Sequence, residues 1–386
     1  MKKSLFTLLF LILIVKSYSQ TYPVFGNEIP VKINGLTFDA MEPFISPDGN
    51  TLFFNSINDG VNTSLYYATK VNDSTFTYVG QVNGTNMPSP HLDAVASLDS
   101  ANNFVWVSTR NYPSVFENLQ RGTYNSGSLT NHTKVYGDFY IRTPGWLIMD
   151  AAINYDGNYL YYCNAYFNSC AGGMPCQAKL GIAQKVNDST YNKTATSDAV
   201  LVNINNVNYL VYAPQVTKDG LELYFTRILN GSFTTEICVS VRSTTTSVFS
   251  APSIIYSSQP LTPEAATLTT DKSIMYYHKK PSTLYKIFMR YRTITTDVGE
   301  INKKDMVTVF PNPTSDKLFI SFQNKELKQI ELKIFNVNGQ ELLNEQIENN
   351  KGVNTLDISK LPVGVYFVQA IAGKEIVCDQ KIIISN

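Results

Sequence analysis

Four acidic side chains open short apolar segments at a similar distance from a turn: Glu42 in EPFISPDGNTLFF, Asp93 in DAVASLDSANNFVWV, Asp150 in DAAINYDGNYLYY and Glu264 in EAATLTTDKSIMYY. Carboxylates gathered at one height around an axis repel one another unless something neutralises them. They would therefore hold a cation such as calcium, a ligand amine or backbone N–H groups. The competing arrangement is local, because Asp and Glu also bond the backbone of their own turn and each would then cap its own unit. A further copy, APQVTKDGLELYF, opens with Ala213 and breaks the set, and Glu264 is offset by one residue.

Other chemistry is sparse. The histidines are His91, His132 and His278, and there is no HExxH, no GxSxG elbow and no glycine-rich phosphate loop. No catalytic residue is assigned. His91, two residues before Asp93, makes the one local acid–imidazole pair, weighed against a solvated loop histidine. Cys163, Cys170 and Cys176 fall in YYCNAYFNSCAGGMPCQAKLG without the neighbouring His or further Cys that a metal site needs. A disulfide is expected instead, Cys170–Cys176 or Cys163–Cys176, stabilising the fold by about 2 kcal/mol. Cys238 and Cys378 read as buried thiols.

The segments that position the carboxylates repeat. In EPFISPDGNTLFF, Pro47 presets its φ, Asp48 holds the turn and Gly49 supplies a positive φ, so a short inner strand folds back into a longer one. Five such frames occur, with turn aspartates Asp48, Asp99, Asp156, Asp219 and Asp271 separated by 51, 57, 63 and 52 residues. KVNDSTF at 70–76 returns as KVNDSTY at 185–191, a hairpin turn in two copies of the same unit. That period, with several short strands per unit, predicts a β-propeller of five blades, a sixth degenerate blade in one of the longer spacings being the competing count. The frames resemble the TolB-like propeller repeat. Residues 28–34, EIPVKIN, are expected to close the ring as the outer strand of the last blade.

Composition narrows the rest. With 31 basic and 31 acidic residues in 386, and only 16% charged, nothing points to nucleic acid. The 24 Tyr and 21 Phe suit an all-β chain. Residues 1–19, with Lys2 and Lys3 before an apolar run from Leu5 to Val15, read as a signal peptide, leaving no transmembrane segment in the mature chain. The propeller is assigned to 20–292 and a polar linker to 293–305.

Residues 306–386 carry about seven short strands, the economy of an Ig-like β-sandwich. Phe310-Pro311-Asn312-Pro313, the Ile334–Leu342 hairpin with Asn338-Gly339, Leu361-Pro362-Val363-Gly364-Val365-Tyr366 and the final Lys381-Ile382-Ile383-Ile384 closely resemble the C-terminal sorting domain of the type IX secretion system of Bacteroidetes. The resemblance implies passage through the periplasm and outer membrane by that machinery, to the cell surface or the medium. The expected function is binding of an extracellular glycan or protein, with Tyr140, Trp146, Tyr166 and Phe167 offered for stacking. A secreted polysaccharide lyase or hydrolase on a propeller is the alternative.

Overall fold

A computed structural model describes residues 21–170, 173–259, 262–293, 307–322, 328–349, 353–373 and 375–385. The expected signal peptide, and the linker beyond Thr293, lie outside these. Two compact units divide the chain at Ile294 and Thr295.

The first unit contains five sheets, antiparallel but for one short parallel pair. Their inner strands are Met41–Ile45, Asp93–Leu98, Trp146–Ile153, Tyr209–Val216 and Glu264–Leu268, each in contact with the next and the last with the first. This is a five-bladed propeller.

The second strand of each blade reads as an unbroken apolar run because alternate residues face different neighbours. Phe53 packs towards blade 2 with Phe104 and Trp106, whereas Leu52 and Phe54 pack towards blade 5 with Tyr276 and Met289. Val105 and Val107 then join blade 3, Leu223 and Phe225 of blade 4 join blade 3, and Tyr224 joins blade 5. Five such cores make the closed ring. The repeated heptapeptides are equivalent hairpin turns of blades 1 and 3, with Ser74 N–H donating to Asn72 Oδ1 and Ser189 N–H to Asn187 Oδ1, both at 3.1 Å.

Closure differs in detail from expectation. Val24–Phe25 and Ile29–Pro30 supply the fourth strand of blade 5, pairing with Lys286–Thr293. Lys32–Asn34 instead runs parallel to Thr75–Thr77 on blade 1. Pro30 has no N–H to continue the ladder, and the crossing follows a rule of the ring. Asn83, after the fourth strand of blade 1, bridges Ser128 of blade 2, and Tyr136, after that of blade 2, bridges Thr190 of blade 3, both in parallel.

The second unit is a sandwich. One sheet holds Val307–Phe310, Lys317–Phe322 and Val353–Asp357, and the other Gln329–Asn336, Glu341–Glu348, Gly364–Ala372 and Glu375–Ile384. Val309, Ile320, Leu332, Val368 and Ile382 fill its own core. The PNP segment and the last strand meet: Asn312 donates to Lys381 O at 2.8 Å and accepts from Ile383 N–H at 2.9 Å.

Candidate functional site at the channel mouth

Every inner strand pairs with its second strand through one anchoring pair: Ile45 with Leu52, Leu98 with Phe104, Ile153 with Leu160, Val216 with Leu223, Leu268 with Met275. Three residues before each anchor stand Glu42, Val95, Asp150, Ala213 and Ala265, and all five line a cavity of about 30 Å³ on the channel axis. In four blades this residue is a bulge with positive φ, +50° at Glu42, +56° at Val95, +49° at Ala213 and +55° at Ala265. Such a bulge re-aims a side chain and frees a backbone N–H. The freed N–H groups are received by the preceding blade: Glu42 donates to His278 Nδ1 at 3.0 Å, Ala265 to Thr226 Oγ1 at 3.0 Å and Ala213 to Asp150 Oδ2 at 3.2 Å.

Glu42 and Asp150 therefore share one ring of the channel. Glu264 belongs one residue earlier, beside Tyr212 at the equivalent place in blade 4, and it acts electrostatically on Glu42. Asp93 does not join them. Asp99 fills the place of Ser46, not Asp48, because the blade 2 turn is one residue shorter; Asp99 Oδ1 accepts from Asn103 N–H at 2.8 Å just as Ser46 Oγ accepts from Thr51 N–H at 2.9 Å. Counting back from Asp99 misses the channel position by two residues, and Val95 occupies it. Asp93 is fixed by Trp106 Nε1 at 3.0 Å, Arg110 Nη2 at 3.0 Å and Met87 N–H at 3.0 Å.

Burial, and then the charges of Asp150 and Glu264, hold Glu42 well above the usual carboxylate range. Asp150 is pushed up to about 7 by burial against the opposing N–H of Ala213. Burial also raises Glu264 to about 7, against an opposing influence of Tyr212 and with the further help of Asp150. Glu264 still keeps 21% of its side-chain surface accessible. His278 is pushed down to about 3 by burial and is neutral. Since its Nδ1 accepts, its proton sits on Nε2, 4.0 Å from Glu264 Oε2. Glu42 Oε2, Tyr212 Oη and His278 Nε2 are buried without a hydrogen-bond partner among the described residues; the Tyr212 hydroxyl influences Glu264 without reaching bonding geometry. Neither Glu42 nor Asp150 makes an ion pair among them.

The other sequence candidates lie apart from this ring. Cys170 and Cys176 form a disulfide with Cα atoms 5.5 Å apart, and Cys163 and Cys238 are buried free thiols. His91 Nδ1 donates to Pro88 O at 2.6 Å, and His132 meets the edge of Trp106. Tyr140 is core, stacked on Phe139 with its hydroxyl donating to Val135 O. Trp146 and Tyr166 pack on each other with ring centroids 5.3 Å apart, and Phe167 is half-buried. Sequence reasoning passed over Tyr212 and treated His278 as isolated. Their signal was positional, since Tyr212 lies one residue before Ala213 as Glu264 lies one before Ala265.

Residues 308–385 match the family model described as a secretion system C-terminal sorting domain. No curated protein matches the chain. Among solved structures, a family 117 glycoside hydrolase produced by the marine bacterium Zobellia galactanivorans has 12% identity, covering 70% of this chain and 91% of its own, with a TM-score of 0.44. For the endo-arabinase from Bacteroides thetaiotaomicron the figures are 11%, 69%, 98% and 0.44. For the catalytic domain of the GH62 alpha-L-arabinofuranosidase from Coprinopsis cinerea they are 12%, 70%, 95% and 0.42. No helix among the described residues is long and apolar enough to cross a membrane. Residues 308–385 are a type IX secretion sorting domain, and the chain that carries them is exported to the cell surface or secreted.

Proposed function

We propose that the propeller is an extracellular binding module that takes a cationic group of a glycan or protein ligand at the channel mouth. One observation carries this reading: three carboxylates from blades 1, 3 and 5 influence one another, with Glu42 Oε2, Tyr212 Oη and His278 Nε2 left unpartnered beside them. A resident calcium fits poorly, because it takes six to eight oxygens and no group of three His, Cys, Asp or Glu among the described residues could hold a metal ion. An ammonium group fits better, being about the size of the water that a cavity of about 30 Å³ admits. The resemblance of the repeats to TolB-like propellers supports binding as well.

Catalysis on a polysaccharide has one point in its favour, the carboxylates poised near 7, which is where general acids and bases work. Against it, the cavity that Asp150 lines is not lined by Glu264, so the two carboxylates near 7 do not face each other across it. The readings separate in one experiment. Fluorescence anisotropy with a labelled chitosan tetrasaccharide and a labelled lysine-rich peptide should show binding of at least one probe, weakened at least tenfold, about 1.4 kcal/mol, in Glu42→Gln/Glu264→Gln. Unchanged affinity in the variant, or release of shortened products, would overturn the binding proposal.

A further inference from the structure

At the opposite end of the inner strands, where the turns lie, blades 3 and 4 enclose a groove of about 440 Å³, within the size range of small-molecule sites. Arg242 lies in its wall and is only 8% exposed. Its Nε donates to Gly220 O at 2.7 Å, its Nη2 to the Tyr161 hydroxyl at 3.2 Å, and its guanidinium sits 4.2 Å over the Phe249 ring. Those bonds fix the fork and leave further N–H groups to donate. Among the described residues no carboxylate lies within ion-pair distance of Arg242. Lys218, at the rim, lies 4.2 Å over the Tyr155 ring and is likewise without an ion-pair partner there. Asp219, also in the groove, is already held by Lys272 at 2.6 Å. A buried guanidinium is costly unless paired, so this one is set for an anion from outside.

The rest of the groove describes the remainder of the ligand. Tyr159 contributes an aromatic face, and Thr194, Thr196, Thr245 and Thr246 contribute hydroxyls. Asp156, exposed, can accept from ligand hydroxyls. An aromatic residue, hydroxyls and two cations in one groove together match a hydroxyl-rich ring that bears a negative charge.

We propose that this groove binds an anionic saccharide, its carboxylate or sulfate on Arg242 and Lys218 and its ring against Tyr159. The site is separate from the channel mouth and does not depend on the reading given for it. Calorimetric titration of the full chain with tetramannuronate, a sulfated galactan tetrasaccharide and neutral mannotetraose tests it. At least one anionic probe should bind about tenfold or more tightly than the neutral one, and the stronger of the two identifies the group recognised. Arg242→Gln should lower that affinity about tenfold, and Lys218→Gln, at an exposed side chain whose loss leaves the fold intact, by several-fold. Glu42→Gln/Glu264→Gln should leave it unchanged. Equal affinity for the neutral probe, no binding of either anionic probe, or full affinity in Lys218→Gln overturns the proposal.

Discussion

Asp93 and Asp150 are the same residue type at the head of two inner strands, and their surroundings give them opposite roles. Asp93 accepts from Arg110 and the Trp106 indole, so Asp93→Ala should cost about 3 kcal/mol by leaving a half-buried cation and a buried donor without this partner. Chemical denaturation measures that loss, and binding at the channel mouth should persist wherever the variant remains folded. Asp150 and Glu264 act in the other direction. Their folded values near 7 lie above the ordinary 3.8 and 4.5, so the folded state holds more protons between those limits. The stability they contribute is complete below about pH 4 and is lost as pH rises through 7. The melting temperature should therefore fall by roughly 10 °C from pH 5 to pH 8, and Asp150→Asn/Glu264→Gln should flatten that slope. An unchanged slope in the variant would contradict the burial of these groups in the charged-unfavourable state.

At the scale of elements, the blades were legible because turn chemistry and aromatic strands repeat, and the anchors Ile45, Ile153, Val216 and Leu268 each stand three residues before their turn aspartate, whereas Leu98 stands one before Asp99. The bulges were not. A bulge adds a residue to one strand without changing its composition, and only cross-strand pairing shows that Val95, not Asp93, reaches the axis. The N-terminal closure was half legible: EIPVKIN reads as one strand, yet its two halves serve different blades on either side of Val31. Glu28 fastens this segment, accepting from the Tyr277 hydroxyl and the nearly buried Lys279 ammonium. Glu28→Gln should cost about 3 kcal/mol by leaving Lys279 without its counter-charge. Hydrogen exchange should show the Lys286–Thr293 amides losing protection before those of blade 3. Loss of protection spread evenly over all blades would contradict a latch at this point.

For the whole molecule, two separate cores divide the chain, and export belongs to the second. Removing residues 308–385 should leave a propeller with an unchanged melting transition that no longer reaches the surface or the medium of its native host, which fractionation and immunoblotting would show. Export of the truncated chain would contradict the sorting role. The recognition proposed for the propeller rests on the channel mouth, where carboxylates with values near 7 would release protons when a cation joins them. Calorimetric titration of the full chain with methylammonium at pH 7, repeated in two buffers of different ionisation enthalpy, reads this directly. The account predicts binding with net proton release, abolished in Glu42→Gln/Glu264→Gln. An absence of binding, or binding that the double variant retains, would contradict it.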